Sequence, residues 1–188
     1  MTRIIAGSNK GRRLKAPKGL ATRPTGARVR QTLFDILAPR MAGCRFLDAF
    51  AGSGGIGLEA LSRGAARVVF VDDSAPAVEA VRENVALLRG AGEAQVFRQD
   101  ARLALPALAD KGVRFDVIYL DPPYESDLYE PLLQLCGQAG LLEKEGLVVA
   151  EHFHKRLLPE TIGRLLLARE VRVGDHRLSF YRLEDHAR

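Results

Sequence analysis

Two hydrophobic periods alternate along the chain. Short apolar runs at Arg45–Asp48, Arg67–Val71, Gln95–Arg98, Phe115–Leu120 and Gly146–Ala150 have the length of β-strands. Between them, apolar residues recur three and four apart: Val29, Leu33, Phe34 and Leu37 within Arg28–Leu37, and Val78, Val81, Val85 and Leu88 within Ala75–Leu88. Leu103–Leu108 and Leu128–Gly137 read as shorter helices. Thr25 or a neighbour caps the first helix and Pro39 stops it. Leu165–Val173 and Arg177–Leu183, joined across Gly174-Asp175-His176, read as an antiparallel hairpin. Strand and helix in alternation predict an α/β fold with a mostly parallel sheet closed by antiparallel chain at the end.

Phe46–Leu61 reads F-L-D-A-F-A-G-S-G-G-I-G-L-E-A-L, which is strand, glycine turn and helix. Gly52, Gly54 and Gly57 fit G-x-G-x-x-G, where glycines permit a tight turn and let a ligand approach amides at a helix N-terminus. Asp72, after the next strand, is the acid that either a dinucleotide or an S-adenosylmethionine site needs for ribose hydroxyls. Asp48 leans against the dinucleotide. A carboxylate just before the turn sits badly beside a pyrophosphate but well beside a ligand whose near end is an ammonium.

Asp121-Pro122-Pro123-Tyr124 follows the strand Phe115–Leu120 directly. D-P-P-Y after a strand resembles the catalytic signature of amino-group methyltransferases of nucleic acids. An exocyclic base amine is a poor nucleophile, because its lone pair is delocalised into the ring. A carboxylate and a backbone carbonyl that accept both amine hydrogens favour a pyramidal nitrogen with its lone pair free. Two prolines fix φ and remove competing donors, and Tyr124 offers a face on which to stack a flipped base.

Charge divides the chain unevenly. Residues 1–34 hold nine basic residues and no acid, leaving 19 basic and 23 acidic residues in the remainder; the net +5 is thus +9 and −4. Such a segment on a slightly acidic body is a footprint for a polyanion. Arg3-Ile-Ile-Ala6 and Arg12-Arg-Leu-Lys15 flank Gly7–Gly11 as a short hairpin with cations at its tip and sides. With no aromatic before Phe34, it would hold phosphates and not stack bases. Two cysteines, Cys44 and Cys136, lie far apart and read as reduced, small buried residues. No long apolar run or signal peptide appears, which predicts a cytoplasmic protein.

The R-I-I-A-G-x-x-K-G-R run at Arg3–Arg12, with Arg23-Pro24-Thr25, Arg28, Arg30 and Leu33-Phe34, is similar to the RsmD family, which methylates the N2 amine of a guanine in 16S ribosomal RNA. The resemblance covers nearly the whole chain. It implies a Rossmann-like class I methyltransferase with a seven-stranded sheet, its last strand antiparallel, and a small N-terminal β-hairpin. Residues 1–24 form the basic extension and 25–188 the methyltransferase domain. S-adenosylmethionine is the implied methyl donor, and 16S rRNA in an assembled or assembling small subunit the implied partner of a monomeric enzyme. No metal is implied.

Asp121, Pro122, Pro123 and Tyr124 carry the chemistry in that resemblance. Asp48, Ala51, Gly52, Ser53 and Gly54 hold the methionine part of the cofactor. Asp72 or Asp73 takes the ribose, and which of the two stays open. Asp100 and Ala101 take the adenine, though an ordinary helix cap at Asp100 is an even alternative. Arg23 and Thr25 lie beside the cofactor, and Arg3, Lys10, Arg12, Arg13, Lys15, Arg28 and Arg30 contact RNA, with Arg23 and Arg28 open to either role.

A DNA adenine-N6 methyltransferase would share D-P-P-Y but needs a base-reading insert, and no unassigned stretch is long enough. A nicotinamide oxidoreductase shares the glycines and Asp72. A non-catalytic RNA-binding module shares only the basic segment. His152 and His154 lack a third ligand for a metal and read as a solvated strand end. His176 reads as an exposed turn residue, and the pattern offers Glu151 no role.

Overall fold

The computed structural model describes residues 2–17, 26–123, 126–138 and 140–184. Arg23, Thr25 and Tyr124 lie outside the described residues. Residues 1–100 form one compact unit and 101–188 a second. The division falls inside the span expected to be a single methyltransferase domain, and the basic segment belongs to the first unit.

In the first unit, α1 (Ala27–Leu37) precedes β1 (Arg45–Asp48), α2 (Gly55–Ser62), β2 (Arg67–Asp72), α3 (Ala75–Ala86) and β3 (Glu93–Arg98). The three strands lie in the order β3-β2-β1, all parallel, with Asp48 paired to Phe70 and Asp72 to Arg98. Phe46, Leu47 and the run Val68–Val71 are buried, as expected for strands covered by crossover helices. Gly26, in extended conformation, takes the N-cap of α1 without a side-chain bond, so the cap expected near Thr25 is a bare backbone one. Phe34 from α1 stacks on Phe46 at 6.4 Å, and the Arg63 guanidinium lies 5.0 Å from the Phe34 ring centre.

The basic segment is docked tightly. Arg3 and Arg13 form an antiparallel bridge, and Ile4 and Leu14 are buried. Fully buried Glu59 on α2 accepts from the amides of Ile5 at 2.7 Å and Ala6 at 3.0 Å, and Arg63 donates to it at 2.7 Å. Ser62 donates to the Ala6 carbonyl at 2.6 Å and accepts from the Asn9 amide at 3.0 Å. Gly7 has φ +81, and a Cβ there would sit 1.8 Å from the Ser62 carbonyl oxygen, so only glycine lets the segment approach α2 this closely.

The second unit contains α4 (Ala101–Asp110), β4 (Phe115–Leu120), α5 (Tyr129–Gln138), β5 (Leu142–Phe153), β6 (Thr161–Ile162), β7 (Leu165–Val173) and β8 (His176–Leu183). Its strands run β4-β5-β8-β7-β6, with β4 and β5 parallel and the other pairings antiparallel. The described residues of the two units thus hold eight strands, one more than the seven expected. The added one is β6, which pairs two residues with β7 and is too short to show a period in the sequence. The architecture is Rossmann-like α/β. No helix among the described residues is long and apolar enough to cross a membrane.

Candidate active site

The turn between β1 and α2 is wired to both neighbouring strands. Asp72, at the end of β2, accepts from the Gly52 amide at 2.8 Å and the Ser74 amide at 2.9 Å. Burial raises the pKa of its carboxyl, and those two amides oppose the rise. Each oxygen keeps a lone pair for a ligand hydroxyl. Asp73 is exposed, and its carbonyl accepts from Arg98 Nε at 3.3 Å, so Asp72 alone is tied to the turn. Gly52 has φ +53 and Gly54 φ +80, both left-handed, and nothing lies within 4 Å of a Cβ built on Gly52. Gly57 serves packing: a Cβ there would lie 2.2 Å from Phe70 Cε1.

Asp48 sits beneath that turn, 1% exposed. Its Oδ2 accepts from the Gly57 amide at 3.0 Å. Burial pushes its carboxyl pKa up to about 7, with Asp72 adding to the rise and the Gly57 and Phe50 amides opposing it. Although the Phe50 amide acts on the carboxyl electrostatically, no hydrogen bond of normal geometry reaches the buried Oδ1. A buried acid oxygen without a donor, at the end of the strand that enters the glycine turn, fits the ammonium end of S-adenosylmethionine. Asp100 is half-buried and directly precedes α4, whose first residue, Ala101, is buried.

In the second unit, Asp121 is half-buried, Pro122 buried and Pro123 exposed, immediately beyond β4. Tyr129 on α5 is 1% exposed, and its hydroxyl lies 3.3 Å from the Pro122 carbonyl oxygen and 3.1 Å from that of Glu151. One proton shared between two carbonyls fixes the loop's backbone, and the Pro122 oxygen retains a second lone pair. The Arg156 guanidinium lies 4.9 Å from the Tyr129 ring centre.

The cations of the first unit are not equivalent. Arg3, Lys10, Arg13, Lys15 and Arg28 are exposed and Arg12 is half-buried, but Arg30 is buried and donates to the Arg3 carbonyl at 3.1 Å. Arg30 shares the stripe of Leu33, Phe34 and Leu37, so helical spacing turns it inward and away from the RNA contact expected of it. Lys15 is partly engaged by Glu83 at 2.9 Å.

The histidines correct their expected solvation. His152 is fully buried, with Nε2 2.8 Å from Ser179 Oγ, and burial lowers its pKa. His176 is 9% exposed and holds Nδ1 2.7 Å from Glu151 Oε1, while Tyr119 donates to the other carboxylate oxygen of Glu151. Tyr129 and Asn84 were missed, and Glu151 was named at its strand end without a role. The one available signal was a polar residue inside an apolar stripe or strand.

The Conserved hypothetical protein 95 family model matches residues 2–182. The chain belongs to this family, the RsmD family. Among its relatives, YlbH of Bacillus subtilis is 43% identical over 180 residues, covering 96% of this chain and 98% of the relative. Ribosomal RNA small subunit methyltransferase D of Escherichia coli K12 is 37% identical over 182 residues, covering 97% and 90%. The solved structure of a hypothetical protein from Thermus thermophilus superposes with a TM-score of 0.83 at 36% identity, covering 98% of this chain and all of that one. The family and the fold therefore extend over both units.

Proposed function

We propose that the protein transfers a methyl group from S-adenosylmethionine to the exocyclic N2 of a guanine in 16S ribosomal RNA of the small subunit. The observation that carries this reading is Asp121-Pro122-Pro123 at the end of β4 with its Pro122 carbonyl pinned by Tyr129, in a chain of the RsmD family.

S-adenosylmethionine supplies a methyl group on a sulfonium that departs as a neutral thioether. Asp48 would take its ammonium, the Ala51–Gly54 backbone would lie along the rest of its methionine part, Asp72 would take its ribose hydroxyls, and Asp100 with Ala101 its adenine. Arg23 and Thr25 belong beside the methionine end. The Asp121 carboxylate and the Pro122 carbonyl accept the two hydrogens of the guanine amine and aim its lone pair along the line of transfer. With the cofactor bound, the N–C bond would form as the S–C bond breaks, and Asp121 would pass the surplus amine proton to solvent. Pro123 keeps the loop short of donors, and Tyr124 stacks the base. The exposed Arg3, Lys10, Arg13, Lys15 and Arg28, with Arg12, hold phosphates of an RNA hairpin whose loop already presents unstacked bases. The protein acts as a cytoplasmic monomer.

The test is label transfer from S-adenosylmethionine to small ribosomal subunits from cells lacking this gene, beside protein-free 16S rRNA, with the product nucleoside identified. N2-methylguanosine is the expected product. Label on adenine, or none on either substrate despite cofactor binding, would overturn the assignment.

A further inference from the structure

We infer that Phe153–Leu157, which continues from the end of β5, is a contact surface for single-stranded RNA beside the catalytic loop. Among the described residues three large apolar side chains are exposed, Leu103 at 63%, Phe153 at 38% and Leu157 at 78%, and two of them fall within these five residues. Lys155 and Arg156 stand between them and the segment itself holds no acid, with the Asp175 carboxylate 4.0 Å from His154 Nδ1 at its start. Apolar faces interleaved with cations are what a nucleotide strand needs: a platform for a base and a charge for the adjoining phosphate.

The segment is built, not loose. The His154 amide donates to the Asp175 carbonyl at 2.8 Å, and the Arg156 amide to the Phe153 carbonyl at 2.9 Å, closing a turn. The His154 ring packs 4.6 Å from the Phe153 ring. Arg156 lies over Tyr129, whose hydroxyl reaches the Pro122 carbonyl. The strand pairing fixes the location. Leu120 pairs with Ala150 in parallel register, so the segment leaves the same carboxyl end of the strands as Asp121-Pro122-Pro123, on the order of 10 Å away. That span is one or two nucleotides. The surface therefore takes a base flanking the target, with Phe153 and Leu157 beneath it and Lys155 on the phosphate. The basic segment of the first unit has phosphate-binding side chains but no aromatic platform, so the two surfaces do different work.

This inference rests on the RNA substrate proposed above, and two measurements on the full chain separate the two claims. Photo-cross-linking to 16S rRNA carrying 4-thiouridine, with adducts mapped by peptide, reads the surface directly. An adduct within Phe153–Leu157 is expected; adducts confined to the basic segment would overturn the inference whether or not methyl transfer occurs. Kinetics with small ribosomal subunits should show KM raised roughly tenfold by Phe153→Ala, with kcat, cofactor affinity and thermal midpoint unchanged. Leu157→Glu, at the most exposed of the three positions, gives the same reading if Phe153→Ala folds poorly. An unchanged KM in both variants overturns the surface. A raised KM without any RNA adduct assigns it to a ribosomal protein and overturns it equally. Absence of methyl transfer by the unmodified protein would sink the proposed function and leave the adduct map to decide the surface.

Discussion

Asp48→Asn should stabilise the cofactor-free protein above neutral pH while weakening cofactor binding. The Asp48 carboxyl ionises near pH 7 in the fold, against 3.8 in the unfolded chain, chiefly because burial disfavours its charge. Between those values the folded state holds the proton and the unfolded state does not. Stability contributed by this group is therefore complete below about pH 4, falls as pH rises and is gone once pH passes about 7. At about 1.4 kcal/mol per pH unit, the gap bounds the effect at ~4 kcal/mol. An asparagine still accepts from the Gly57 amide but must place a buried NH2, at a cost of about 1–3 kcal/mol. A net gain of about 1–3 kcal/mol at pH 8 remains, or very roughly 3–8 °C in melting temperature for a chain of this size. At pH 4 the gain should vanish or reverse. Thermal melts of both proteins from pH 4 to 8 report this group together with the easing of the Asp72 carboxyl to which its charge is coupled, the other titrations being common to both. Calorimetry should show S-adenosylmethionine affinity at least tenfold lower in the variant at pH 8, and proton release on binding to the unmodified protein below pH 7. A melting difference that is constant with pH, or unchanged cofactor affinity, would refute the reasoning.

Tyr129→Phe removes the hydroxyl shared by the Pro122 and Glu151 carbonyls and should lower kcat roughly tenfold with both KM values unchanged, as steady-state kinetics would show. Gly57→Ala drives a methyl group into Phe70 and Val68 and should destabilise the fold by about 1–3 kcal/mol in urea titrations. Glu59→Gln weakens the charge-assisted bonds to the Ile5 and Ala6 amides, so hydrogen exchange at those two amides should accelerate at least tenfold while amides within β2 stay protected.

Elements with a strong period were legible from residues alone: β1, β2 and β4 and the helix faces of α1 and α3 lie within a few residues of expectation. The glycine turn was legible as a turn, but its bond to Asp72 was not, because the residue pattern assigned that acid to a ligand's ribose and not to the Gly52 amide. What could not be read was set by partners distant in sequence. Asn84 occupies the stripe of Val78 and Val81 on α3, and only the fold reveals that it bonds the Lys15 backbone in both directions and the Ser53 carbonyl. Glu59 is the one charged residue of an otherwise apolar helix, yet its burial depends on a segment 53 and 54 residues away. Arg30 and His176 went the other way. Residue type marked both as solvent-facing, and packing overruled type because each found an acceptor within the fold, the Arg3 carbonyl for Arg30 and the buried Glu151 for His176.

The central claim is that Asp121 orients the acceptor amine, and single-turnover methyl transfer by Asp121→Ala tests it most directly. With small ribosomal subunits and saturating S-adenosylmethionine, the rate should fall by roughly a hundredfold to a thousandfold. Affinity for the particle and the cofactor should stay within about threefold, since neither phosphate contacts nor the first unit's turn is touched. A rate within a few-fold of the unmodified protein, at full occupancy of both substrates, would contradict the account.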